Sequence, residues 1–124
     1  MRLLLDGNAF LWWREGSRRL SQRAAEEIQD SGSDIVVSIA TLWEIAIKRA
    51  LGKLQFLEDF HEVMRDEGFA LLPITYGHLH ALEALPQHHR DPFDRLLIAQ
   101  ALAEGIPVAT ADRRFGAYGV QIVW

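Results

Sequence analysis

Short continuous apolar runs alternate along the chain with stretches whose apolar residues recur at helical spacing, a pattern of buried strands separated by helices. Leu3-Leu4-Leu5 reads as a buried parallel strand stopped by Asp6-Gly7-Asn8. Ala9 to Trp13 predicts a short helix, and Ser21 caps a second over Gln22 to Gln29, closed by Asp30-Ser31-Gly32. Ile35 to Ile39 is the second strand. Ala40 to Leu51 follows as a helix with Trp43, Ala46, Ile47 and Ala50 on one face. Residues 56–67 place Phe56, Phe60, Val63 and Met64 at helical spacing, with the intervening acids read as a solvated face.

Ala70 to Ile74 predicts a third strand, and Tyr76 to Leu85 a helix broken at Pro86. The stretch from His88 to Asp112 organises the rest. Asp91-Pro92 is a helix entrance, because the residue before a proline leaves the α region and proline fits the first helical position. That helix runs through Leu96 to Leu102 and stops at Gly105. Ile106 to Thr110 is a strand leading into Ala111-Asp112; Arg113 to Gly116 is a turn or short helix, and Val120 to Trp124 a final edge strand. Helices alternating with strands, without repeat or linker, predict a single α/β domain over residues 1–124 with a mainly parallel sheet.

Composition narrows the class. Hydrophobic residues at 49% and charged residues at 24% fit a globular protein and exclude a disordered one. The absence of cysteine excludes disulfides and thiolate metal sites. Asp6 and Arg14 interrupt the first apolar stretch, and nothing approaches the roughly 18 apolar residues of a membrane span, so a cytoplasmic location is expected. A net charge of −4 is unexpected for a nucleic-acid binder, yet an acidic pocket holding divalent cations can sit within a basic rim.

The candidate chemistry lies in four acids expected near one end of the sheet: Asp6 after the first strand, Glu44 on a helix, Asp94 in a first helical turn and Asp112 after a strand. Each also has a structural role available. Asp6 can cap the next helix, Glu44 can pair with Lys48 four residues on, Asp94 can answer the helix dipole, and Asp112 can cap the turn at Arg113. Their joint placement is what argues for a site. Clustered carboxylates repel unless a proton or cation intervenes, and all-oxygen ligands without cysteine suit magnesium or manganese. Such an ion can activate a water against a phosphodiester.

Leu3-Leu4-Leu5-Asp6 with Asn8, Val37-Ser38 through Leu42-Trp43-Glu44-Ile45, Asp91-Pro92-Phe93-Asp94-Arg95-Leu96-Leu97-Ile98-Ala99 and Thr110-Ala111-Asp112 together resemble a PIN-domain ribonuclease of the VapC toxin kind. The resemblance covers nearly the whole chain. It implies a PIN-like three-layer α/β/α sandwich whose acidic pocket, Asp6, Glu44, Asp94 and Asp112, binds Mg2+ or Mn2+ and hydrolyses RNA to leave a 5′ phosphate and a 3′ hydroxyl. In that reading Asp6, Asp94 and Asp112 are ligands and Glu44 is ligand or base. Asn8, Asp91 and Thr110 form an outer shell, with Asp91 also the helix cap. Arg90, Arg95, Arg113 and Arg114 flank the acids and are expected to grip RNA phosphates, with His88 and His89 at the rim. Neither histidine has the spacing or acidic orienter of a zinc site or nucleophile pair. The resemblance also implies a homodimer and a VapB-like antitoxin lying across the active-site groove, with Leu11, Trp12, Trp13 and the 56–64 helix as candidate contacts.

The family's first motif commonly carries threonine or serine after the aspartate, where this chain has Gly7. That departure keeps open a PIN-fold module that binds RNA or a partner without cutting. A haloacid-dehalogenase-like phosphatase shares the strand-one aspartate but needs a second two residues on, where Asn8 stands.

Overall fold

Leu3, Leu4 and Leu5 are fully buried in β1 (Arg2–Leu5), and their alternation sorts the molecule into layers. In the computed structural model, which describes Met1–Trp124, Leu3 and Leu5 point into one apolar core and Leu4 into another on the opposite face of the sheet. Strand β2 (Asp34–Ser38) divides in the same way, with Ile35 and Val37 in the first core and Val36 in the second. Strands buried on both faces read as unbroken apolar runs, as these do.

The sheet is completed by β3 (Ala70–Leu72), β4 (Val108–Ala109) and β5 (Ile122–Val123) in the order β3-β2-β1-β4-β5, every pairing parallel. The first core takes side chains from α1 (Gly7–Glu15), α2 (Gln22–Gln29), α3 (Ile39–Ala50) and α4 (Phe60–Glu67). The second takes them from α6 (Pro92–Glu104), with α5 (Tyr76–Glu83) and a 3-10 helix (Arg113–Tyr118) on the same side. The result is the expected α/β/α sandwich with β5 at an edge. The last three strands are shorter than the apolar runs predicting them, because their ends leave the ladder before their apolar character ends.

Chain order along the sheet reverses at β1. The chain steps outward from β1 to β2 to β3, then returns to lay β4 on the other side of β1. A crevice forms beyond the carboxyl ends of the strands at such a reversal. Asp6 follows β1 and Asp112 follows β4, so both stand at its mouth.

Three expectations need correction. Helix α3 turns Leu42 and Ile45 inward and leaves Trp43 56% and Ile47 38% exposed, so the Trp43–Ala46–Ile47 face is turned outward. Apolar residues occur on both sides of this helix, and periodicity alone does not choose between them. Helix α4 begins at Phe60, capped by Asp59, while Phe56 enters the core from the preceding loop. The acids around α4 are not all solvated: Glu58 and Glu67 pair with Arg14 at 2.8 and 2.9 Å, and Glu67 accepts the Trp13 indole N–H at 2.6 Å. These bonds fasten α1 to α4.

Candidate active site

Each candidate acid is placed by the backbone role that the sequence offers it. The Asp6 side chain accepts the Ala9 N–H at 2.8 Å and so caps α1, extending that helix back to Gly7. Asp91 caps α6 by accepting the N–H groups of Phe93 at 2.9 Å and Asp94 at 3.0 Å, with Pro92 in the first turn. Asp112 caps the 3-10 helix through the Arg114 N–H at 3.0 Å. Glu44 pairs with Lys48 at 3.5 Å along α3. The structural roles are all met, and they bring the acids together. Asp6, Glu44, Asp91, Asp94 and Asp112 line one cleft of about 450 Å³ that also takes in Gly7, Asn8, Lys48 and Arg114.

Burial and crowding set the charge state of these groups. Burial pushes the Asp6 carboxyl above its ordinary range against two bonds that favour its charge, from the Thr110 hydroxyl and the Ala9 N–H; Asp112 and Glu44 push it further up. Asp94 is pushed up to about 7 by burial first, then by Asp91, with Asp6 and Glu44 adding to the repulsion and His89 opposing it. Asp112 goes the other way, down to about 2, chiefly because the Arg114 guanidinium grips both its oxygens at 2.9 Å, with His89 adding a further bond.

Thr110 is fully buried between two of the acids. Its hydroxyl accepts the Asp112 N–H at 3.0 Å and favours the charged form of Asp6. Asn8 is exposed on the first turn of α1. At Gly7 an added β-carbon would lie 3.5 Å from Glu44 Oε1 and 3.9 Å from Thr41 Cγ2, ordinary contact distances, so the backbone does not demand glycine there.

The flanking arginines divide. Arg90 and Arg113 are exposed beside the cleft, and Arg114 is held on Asp112 with its side chain 63% exposed. Arg95 is half-buried. Its guanidinium donates to the carbonyls of Pro86 at 3.0 Å and His89 at 3.4 Å and to the Tyr118 hydroxyl at 3.3 Å, holding the loop before α6.

His89 departs from its expected place at the rim. It is 3% exposed, and its Nε2 lies 2.8 Å from Asp112 Oδ2 and 3.2 Å from Asp94 Oδ2, so it has the acidic partners it was expected to lack. These partners come from elements remote in sequence. The one local signal was its position two residues before the cap, where its Nδ1 accepts the Asp91 N–H at 3.1 Å. His88 stays exposed and packs edge-on against Tyr118.

The donor set suits a hard divalent cation. Carboxylates from four elements line the cleft; Lys48 stands 3.5 Å from Glu44, and Arg114 holds both oxygens of Asp112, bonds that a cation at Asp112 would displace or share. A carboxyl pushed up to about 7 by burial first and by like-charged neighbours second is a group that a cation would ionise, and Asp94 is that group.

A second concavity, of about 690 Å³, is apolar. It lies between α3 and α4 with Trp43, Phe60, Met64 and Leu71 on its walls. Trp43 also meets Phe93 edge-on at 4.9 Å, so the groove adjoins the residue before Asp94. Leu11 is buried, and Trp12 and Trp13 pack against the first core, so less of their surface faces solvent than that of Trp43.

The PIN domain family model matches residues 3–120. Ribonuclease VapC22 of Mycobacterium tuberculosis (strain ATCC 25618 / H37Rv) is 31% identical over 120 residues, spanning 90% of this chain and 88% of that protein. Among solved structures, VapBC2 from Rickettsia felis bound to a DNA fragment from its promoter superposes with a TM-score of 0.68 at 15% identity, covering 98% of this chain and 97% of that one. FitAcB from Neisseria gonorrhoeae superposes at 0.66 with 19% identity over 98% and 96% of the two chains. At those identities the structures speak for the fold.

Proposed function

The chain belongs to the PIN-domain family, and from that premise we propose that it is a metal-dependent endoribonuclease, the toxin of a VapBC-type toxin and antitoxin pair. One observation carries the reading: four carboxylates brought by β1, α3, α6 and the turn after β4 open into one cleft at the reversal of the sheet, and Asp94 is pushed up to about 7 by its surroundings. Residues 1–124 act as one PIN domain.

In this reading Asp6, Asp94 and Asp112 would hold Mg2+ or Mn2+, which would supply acidification of water and charge compensation at a phosphodiester. Glu44 completes the ligand set or accepts the proton of the attacking water, and Lys48 steadies its carboxylate. Thr110 fixes Asp6 relative to Asp112, and Asp91 fixes the backbone of Asp94. Arg90 and Arg113 contact RNA phosphates at the rim; Arg114 does so by exchanging one of its bonds to Asp112. Arg95 serves the loop instead.

The partners in this reading are RNA, a second copy of the chain and a VapB-like antitoxin, and the place of action is the cytoplasm. The apolar groove beside Trp43 supports a protein partner, and no helix is long and apolar enough to cross a membrane. End-group analysis of cleaved RNA tests the chemistry. Attack by water is expected to leave 5′ phosphates and 3′ hydroxyls, whereas 2′,3′-cyclic phosphates would mean that the ribose hydroxyl attacks and would contradict the mechanism.

A further inference from the structure

The ring nitrogens of His89 have different partners, and these fix where its proton stands. Nδ1 accepts the Asp91 N–H at 3.1 Å and therefore carries no hydrogen, so the ring proton is on Nε2. That Nε2–H donates to Asp112 Oδ2 at 2.8 Å and lies 3.2 Å from Asp94 Oδ2. The three groups lie within 4.8 Å of one another, a spacing compatible with a three-ligand metal site. The hydrogen bonds oppose that assignment for the histidine. Ligation through Nε2 needs the proton on Nδ1, where it would point at the Asp91 N–H.

We propose that His89 is a positioning residue for the carboxylates of Asp94 and Asp112, a lasting N–H donor between them and never a metal ligand. The inference rests on the nuclease reading above. Asp94 stands at the start of α6 and Asp112 at the start of the 3-10 helix, so no single element sets their separation. One buried N–H between them sets it and offsets part of their repulsion before a cation arrives.

The loop carrying His89 is itself fastened. The Tyr118 hydroxyl accepts the N–H groups of His88 at 2.9 Å and His89 at 2.8 Å and donates to the Pro86 carbonyl at 2.9 Å. Phe115 meets the imidazole edge-on at 6.1 Å. Asp112 thus opens the 3-10 helix whose last residue, Tyr118, secures the loop that returns His89 to Asp112.

Two measurements test this. Long-range 1H–15N NMR of the metal-free protein is expected to find the His89 proton on Nε2, and spectra of the Mn2+-loaded protein are expected to lack a directly coordinated nitrogen. Mn2+ affinity, read from the electron paramagnetic resonance of the free ion, is expected to weaken about 10- to 100-fold in His89→Phe, which keeps the ring but loses both nitrogens. His89→Gln, whose amide N–H reaches toward the Nε2 position, is expected to recover most of that loss. His89→Asn keeps the acceptor for Asp91 but falls short of the carboxylates, and replaces the Phe variant if that one fails to fold. Tyr118→Phe touches neither acid and is expected to lose affinity through the loop alone.

Wild-type affinity in the folded Phe or Asn variant overturns the inference, as does a coordinated nitrogen in the Mn2+ spectra. A wild-type protein that binds no Mn2+ overturns the nuclease reading, and the inference with it.

Discussion

Asp91 accepts the backbone N–H of Asp94 at 3.0 Å while its own charge raises the Asp94 carboxyl, so one residue both fixes its neighbour's backbone and disfavours its neighbour's ionisation. The two effects separate in Asp91→Asn. Asparagine retains an oxygen for the cap and loses the charge. The Asp94 carboxyl, pushed up to about 7 in the native protein, is expected to titrate lower in the variant. Carbon-detected NMR of Asp94 against pH reads this directly; an unchanged midpoint would remove Asp91 as a cause.

The raised Asp94 carboxyl also makes the metal-free protein lose stability as pH rises. The unfolded chain ionises this group near 3.8 and the folded protein near 7, so between those values the folded state binds more protons. Stability falls across that window and levels off above it. Asp112, lowered to about 2, has the opposite sign, and its contribution is complete above its unfolded value of 3.8. Thermal unfolding of the metal-free protein is therefore expected to give a lower Tm at pH 7 than at pH 5, with the difference reduced in Asp94→Asn. A Tm that rises across the window would contradict this assignment.

Thr110→Val removes the hydroxyl that accepts the Asp112 N–H and favours the charged form of Asp6, leaving that N–H without its partner and Asp6 less well solvated. A loss of about 1–3 kcal/mol is expected by denaturant unfolding, with Thr110→Ser close to the native protein. Equal stability of the valine variant would show that water serves both groups.

Gly7→Ser tests the departure from the family's first motif. The site has ordinary contact distances for a β-carbon and no positive φ, and serine loses less backbone freedom on folding than glycine. The Tm is expected to be unchanged or slightly raised. A clear fall would mean that the cleft needs glycine for close approach.

The sequence made the sheet and three of the acids legible for a shared reason. Asp6 and Asp112 end apolar runs, and Asp94 lies three residues after the Asp91 cap, so each is tied to an element boundary that local pattern reveals. Glu44 was expected at the same end of the sheet from its place on a helix, but no element boundary marks it, and its spacing to Lys48 equally describes the ion pair that the structure contains. The outward face of α3 was not legible, because Trp43 and Ile47 are as apolar as Leu42 and Ile45, and only tertiary packing chooses the buried side. The partners of His89 and Arg95 were not legible for a related reason. His89 lies in a charged loop and Arg95 near the start of α6, and their partners, Asp112 and the Pro86 carbonyl, are set by how the loop between α5 and α6 folds back.

In the proposed function these acids together make a metal-dependent nuclease. The most direct measurement is cleavage of cellular RNA by purified, antitoxin-free protein with Mg2+, Mn2+ or EDTA, alongside Asp6→Asn and Asp94→Asn. Cutting that needs metal and disappears in both variants is the expected result. Folded wild-type protein that binds RNA and leaves it intact under every metal would contradict the claim and leave a binding module in its place.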